Sequence, residues 1–295
     1  MQNDNLKNYL HLHFIVFIWG FTAILGQLIS LQAIDLVWYR VLFALILLVI
    51  YTLVCKKPLK IKGKLLQNLL FLGGLISIHW ITFYEAIKVS NISITLACLS
   101  TGAFFAAFLE PLFYKTKIVW YEMVLGLIVI CGLSIIFNVE TRYKTGIVLG
   151  IITAFLSALF SVLNGRFAKK YDATYIAIYE LAGGLGFMTL YMIVTQKFSP
   201  AFFHISIRDF ILLLLLASFC TAYAFAASIK VMKVLSPYTV MLTINLEPIY
   251  GIVLAYLIFQ DKEKMSTEFY FGAGIILLTV VANGIIKNKL KKIKK

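Results

Sequence analysis

Residues 239–259 read TVMLTINLEPIYGIVLAYLIF, and a single charge decides how that stretch is understood. Between Ser236 and Gln260 only Glu247 is acidic or basic, and Pro248 follows it directly. A run of this length and hydropathy is a candidate membrane span. A carboxylate near its centre costs about 2.5–3.5 kcal/mol on insertion scales, so it is expected to face a cavity or a partner. Pro248 lacks the N–H that would bond the carbonyl of Ile244, so in mid-helix it frees a backbone acceptor beside the carboxylate. A polar side chain at an interrupted helix near the midplane describes a transporter site. The alternative is a proline kink whose neutral Glu bonds a neighbouring helix.

The rest of the chain has the same character. Of its 295 residues 61% are hydrophobic and the mean hydropathy is +0.92, whereas a soluble domain is about half apolar. An all-α integral membrane protein follows. Ten apolar stretches near spanning length fall at 10–29, 34–54, 66–87, 92–113, 118–137, 146–166, 174–195, 209–229, 236–259 and 268–287, joined by connectors too short for a soluble domain. The net charge of +14 is held in short basic runs between them, which act as topology signals and do not form a nucleic-acid face. With the N-terminus cytoplasmic, nineteen of the 27 Lys and Arg lie on the inner side, including Lys56, Lys57, Arg166, Lys169 and the six lysines from Lys287 onward. Both termini are therefore expected in the cytoplasm, in the inner (cytoplasmic) membrane. The first stretch has no cleavage site behind it and is expected to be retained. Cys55, Cys98, Cys131 and Cys220 are scattered without metal-like spacing, and no phosphate-binding loop is present, so no cofactor or metal is expected.

Five stretches per half is an odd number, so the second half must enter the membrane inverted. A shift of 146 pairs Ser90 with Ser236, Leu96 with Leu242, Phe113 with Phe259 and Gly126 with Gly272, and a shift of 140 pairs Tyr39 with Tyr179. The expected architecture is ten transmembrane helices as two inverted five-helix repeats, residues 1–141 and 142–295, with a site between them. The 146 shift also pairs Gly102 with Pro248, so Thr101 and Gly102 mark the matching weak point on the fourth stretch.

Trp19-Gly20, Arg40 early in the second stretch, a proline within the ninth, and Gly126, Gly132, Gly272 and Gly274, set on two five-span halves, resemble the drug/metabolite transporter superfamily, in particular its EamA family. The resemblance covers the whole chain. It implies a secondary transporter, usually an exporter of amino acids or other small metabolites, with a central cavity between the halves. Gly102 stands where that family often has proline.

Thr239, Thr243, Glu247 and Tyr250 recur at helical spacing and would share one face; in the packing alternative the threonines bond their own carbonyls and Tyr250 packs. Thr153, Ser157, Ser161 and Asn164 form a second polar stripe, which either lines a cavity or lets helices approach closely. His79 is the one histidine placed well inside a stretch, as a proton acceptor or as a hydrogen-bond donor that never titrates. Trp19, Trp80, Tyr84, Tyr223 and Tyr250 are candidate aromatic walls. Arg40 is expected to snorkel to the nearby surface. The stretches of Gly126 and Gly272 have no polar stripe and are expected to support the fold.

These observations lead to the expectation of a carrier that moves a small organic solute by alternating access among membrane lipids, with no nucleic-acid partner and with protons a candidate coupling ion. An intramembrane enzyme would need a convergent set of His, Asp, Cys or Ser, and a non-transporting scaffold would leave Glu247 unexplained.

Overall fold

The computed structural model describes residues 2–56, 63–115, 120–235, 240 and 243–293, and among these there is no β-strand. The helices are α1 (Gln2–Leu28), α2 (Ala33–Val54), α3 (Lys64–Val89), α4 (Ile92–Leu99), α5 (Gly102–Tyr114), α6 (Trp120–Val139), α7 (Lys144–Ala168), α8 (Ala173–Val194), α9 (Ile207–Ala217), α10 (Ala224–Val231), α11 (Glu247–Phe259) and α12 (Thr267–Ile293). An apolar chain in lipid has no water to satisfy its amides, which leaves helix as the means of bonding each segment internally. Among the described residues seven helical runs are long and apolar enough to cross a membrane, and Val124–Val139, Glu247–Phe259 and Thr267–Asn283 are shorter apolar helices at the other three expected stretches. Large apolar side chains such as Leu53, Leu190, Leu257 and Leu278 point outward, as a lipid-facing surface requires.

Association between such helices depends on close backbone approach, since lipid competes for every apolar side chain. At the α3–α8 crossing a Cβ on Gly73 would fall 1.9 Å from the carbonyl oxygen of Glu180, and one on Gly183 would fall 2.4 Å from that of Leu70. The α6–α12 pair is built likewise, with Gly132 and Gly272 each facing the other's carbonyl. Carboxylates tie the segment ends. Glu263 accepts from the amides of Ile92 and Ser93 at 3.0 and 2.9 Å, holding the start of α4, and Asp209 accepts from Ser30 just after α1.

Three of the expected stretches are interrupted. The fourth breaks at Ser100–Thr101 between α4 and α5. The eighth passes through a π-helical segment, Ser218–Tyr223, between α9 and α10. The ninth turns at Asn245–Leu246, and a helix starts afresh at Glu247. This corrects the mid-helix position expected for Pro248: it lies in the first turn of α11, where its missing N–H would have had no intrahelical partner. Thr243 and Glu247 therefore lie on opposite sides of a turn instead of along one continuous helical face, and Thr239 lies outside the described residues.

Candidate functional site

The π segment sets up one wall of the site. Widening the helix there leaves the carbonyl of Cys220 to accept from Trp19 Nε1 at 3.1 Å, and turns the Thr221 hydroxyl to donate to Leu216 O at 2.9 Å. Thr221 Oγ1 in turn accepts from Arg40 Nε at 2.6 Å. Arg40 Nη1 donates to the Tyr84 hydroxyl at 2.8 Å, and the guanidinium lies 4.4 Å over the Trp80 ring. The side chain is 1% exposed. Arg40 thus turns inward and does not snorkel, because Thr221, Tyr84 and the Trp80 face supply in the interior what the surface would have given. A planar guanidinium suits this setting, offering fixed donors and a face that stacks.

Arg40 and Glu247 line one cavity of about 70 Å³, together with Trp19, Thr22, Ile76, His79, Trp80, Phe83, Leu99, Ser157, Phe160, Ser161, Cys220, Phe225, Ser228, Met232 and Ile244. That volume holds a handful of waters. Glu247 is 7% exposed and, among the described residues, makes no hydrogen bond or ion pair; Arg40 is the charged group acting on it. Its place in the first turn of α11 sets the carboxylate at the positive end of that helix. The site is accordingly a small, mostly apolar chamber with a guanidinium and a carboxyl group in its walls.

His79 is held from behind. Its Nδ1 lies 2.9 Å from the carbonyl oxygen of Thr153, while Thr153 Oγ1 donates to the His79 carbonyl at 2.8 Å. This bonding fits a fixed donor to the backbone.

Of the residues singled out in the sequence, Trp19, His79, Trp80, Ser157, Ser161 and Glu247 come together around the cavity. Tyr84 stands behind it as the partner of Arg40. Thr101, Gly102 and Thr243 are buried at the two helix breaks, where Thr101 Oγ1 donates to the Cys98 carbonyl at 2.7 Å, and Pro248 packs in the first turn of α11. Asn164 is buried one turn past Ser161. Tyr250 packs edge-on to Phe17 with ring centroids 5.6 Å apart. Tyr223 lies elsewhere: it is 42% exposed, 2.9 Å from His11 Nε2, and lines a separate hollow with Asp172 and Lys230. Arg40, Thr221 and Cys220 were not among the expected site residues. For Arg40 the signal was an arginine seven residues into an apolar helix whose other charged residue, Asp35, sits in its first turn; for Thr221 and Cys220 nothing in the sequence marks the π segment.

A helical bundle with lipid-facing flanks and an internal chamber is a multi-pass membrane protein. The model of the EamA-like transporter family matches residues 7–138 and again 144–284, and the chain belongs to that family. An uncharacterized transporter from Clostridium kluyveri is 23% identical over 248 residues, covering 81% of this chain and 78% of that one. A solved crystal structure superposes with a TM-score of 0.70 at 12% identity, across 96% of this chain and 98% of the other, a likeness of fold.

Proposed function

We propose that the protein is a secondary transporter that exports a small zwitterionic metabolite, of which a neutral amino acid is the simplest, through the inner membrane by alternating access. The observation that carries this is the pairing of Arg40 and Glu247 in one cavity walled by Trp19, Trp80 and Phe225. A carboxylate fits the guanidinium donors, an ammonium fits Glu247, and the aromatic walls take an apolar side chain. The cavity must widen to admit such a solute, and the breaks at Thr101 and Glu247 are where the fourth and ninth spans can move.

Two features support ten spans in two inverted halves. The family model matches once in each half. Exchanging the first five spans for the last five turns the α3–α8 contact into α2–α9, α3–α7 into α1–α10 and α4–α7 into α1–α11, and all of these pairs are packed. Both termini are cytoplasmic on this reading, and protons are the candidate coupling ion.

The test is counterflow of a panel of radiolabelled neutral amino acids in proteoliposomes holding the full chain. Uptake of at least one, competed by unlabelled solute, is expected. Folded protein that moves none of them at any pH overturns the proposal.

A further inference from the structure

Glu180 and Asn164 form a buried pair outside the cavity. Both are 0% exposed. Asn164 Nδ2 donates to Glu180 Oε2 at 3.3 Å, which leaves Asn164 Oδ1 and Glu180 Oε1 as buried acceptors without a donor. Buried acceptors are rarely left so, and a buried carboxylate without a cation is worse still. One added proton resolves both: placed on Oε1, it donates to Asn164 Oδ1 and closes the two-bond ring of a carboxylic acid paired with an amide.

No charged side chain competes for that role among the described residues. The α3 helix meets this part of α8 with the backbone of Gly73, and α7 meets it with Asn164. The ionisable side chains carried by helices packed on α8 act elsewhere: Arg40 of α2 on Tyr84 and Thr221, His79 and Lys88 of α3 on Thr153 and the Ile29 carbonyl, Arg166 and Lys144 of α7 on the Phe113 carbonyl and the Phe137 ring, and Lys230 of α10 near His11. Lys64 is exposed at the start of α3, and Asp35 of α2 and Glu85 of α3 lie beside Lys197 and Lys88.

Two further facts give the pair a place in a cycle. Ser157 and Ser161 line the cavity and Asn164 continues their face of α7, so a polar stripe runs from the chamber to Glu180. The 140-residue offset that pairs Tyr39 with Tyr179 also sets Glu180 opposite Arg40. When related halves exchange conformations, the position sealed in one half becomes the one that opens; this step rests on the alternating-access reading.

We propose that Glu180 carries a proton in this conformer, closed on Asn164 as an acid–amide pair, and releases it to water when the opposite conformer opens that end of the chain. The proton site is separate from the solute cavity.

Infrared difference spectra of the purified full chain in lipid test this. At neutral pH a protonated-carboxyl C=O band is expected. It should be lost in Glu180→Gln, kept in Glu247→Gln and shifted in Asn164→Leu, which removes the acceptor and leaves the acid. Glu180→Gln keeps the ring closed as amide to amide, so its thermal midpoint should match the wild type. If that variant does not fold, carbon-13 labelling of the glutamates with the Asn164→Leu shift still assigns the band. No such band, or one indifferent to both changes, overturns the proposal, as does a band that emerges only when sodium is withdrawn, since a cation would then hold the site. A protein that shows the band yet moves no amino acid overturns the transport reading instead.

Discussion

Replacing Glu247 by Gln separates a carboxylate that serves solute from one that only packs. Glu247 is 7% exposed and has no hydrogen-bond partner among the described residues, so Gln, of the same shape, removes no internal bond. Folding should be preserved, and the thermal midpoint should hold. The loss falls on the solute. A hydrogen bond to a charged group contributes about 1.5–3 kcal/mol, and at 1.4 kcal/mol per tenfold the half-saturating concentration should rise about 10- to 150-fold. Glu247→Leu should do no better, since it also lacks the charge. The assay is counterflow of the transported amino acid in proteoliposomes at matched protein level, across pH. Because Gln cannot ionise, any part of the wild-type pH profile due to Glu247 should vanish. Unchanged affinity, rate and pH profile in Glu247→Gln would refute the assignment and leave the carboxyl a packing group.

Other outcomes are equally specific. Arg40→Lys keeps the charge but cannot reach Thr221 and Tyr84 together while stacking on Trp80, so counterflow should fall about tenfold or more, on the scale of one lost charged hydrogen bond; full activity would remove Arg40 from the site. Gly73→Ala would place a Cβ 1.9 Å from the Glu180 carbonyl oxygen and 2.7 Å from Gly184 N, so α3 and α8 must separate, at about 1–3 kcal/mol. Gly274→Ala meets nothing within 4 Å and is the control; equal thermal midpoints for the two variants would contradict the close crossing. A reporter fused after Lys295 should be active only as a cytoplasmic fusion, and the opposite result would sink the inverted arrangement.

Sequence alone was enough for the properties that partition between water and lipid sets residue by residue. Hydropathy marked the apolar stretches, and helix is what such a stretch must form when its amides have no water. The oddity at Glu247 and Pro248 was local too, a charge and a missing N–H in one turn, and it pointed to the helix break and to the cavity wall. The rotation of each helix about its own axis was decided only in three dimensions. A helix apolar on every side carries no stripe to say which face turns inward, so Ser157 and Ser161 could be placed on a face but not in a chamber, and Tyr223 looked as suitable as Trp80. Charges near helix ends were ambiguous for the same reason. Arg40 has the reach to snorkel, and the burial of Arg40 and Glu180 depends on Thr221, Tyr84 and Asn164, partners that lie 181, 44 and 16 residues away along the chain and become neighbours only when close glycine crossings bring the helices together.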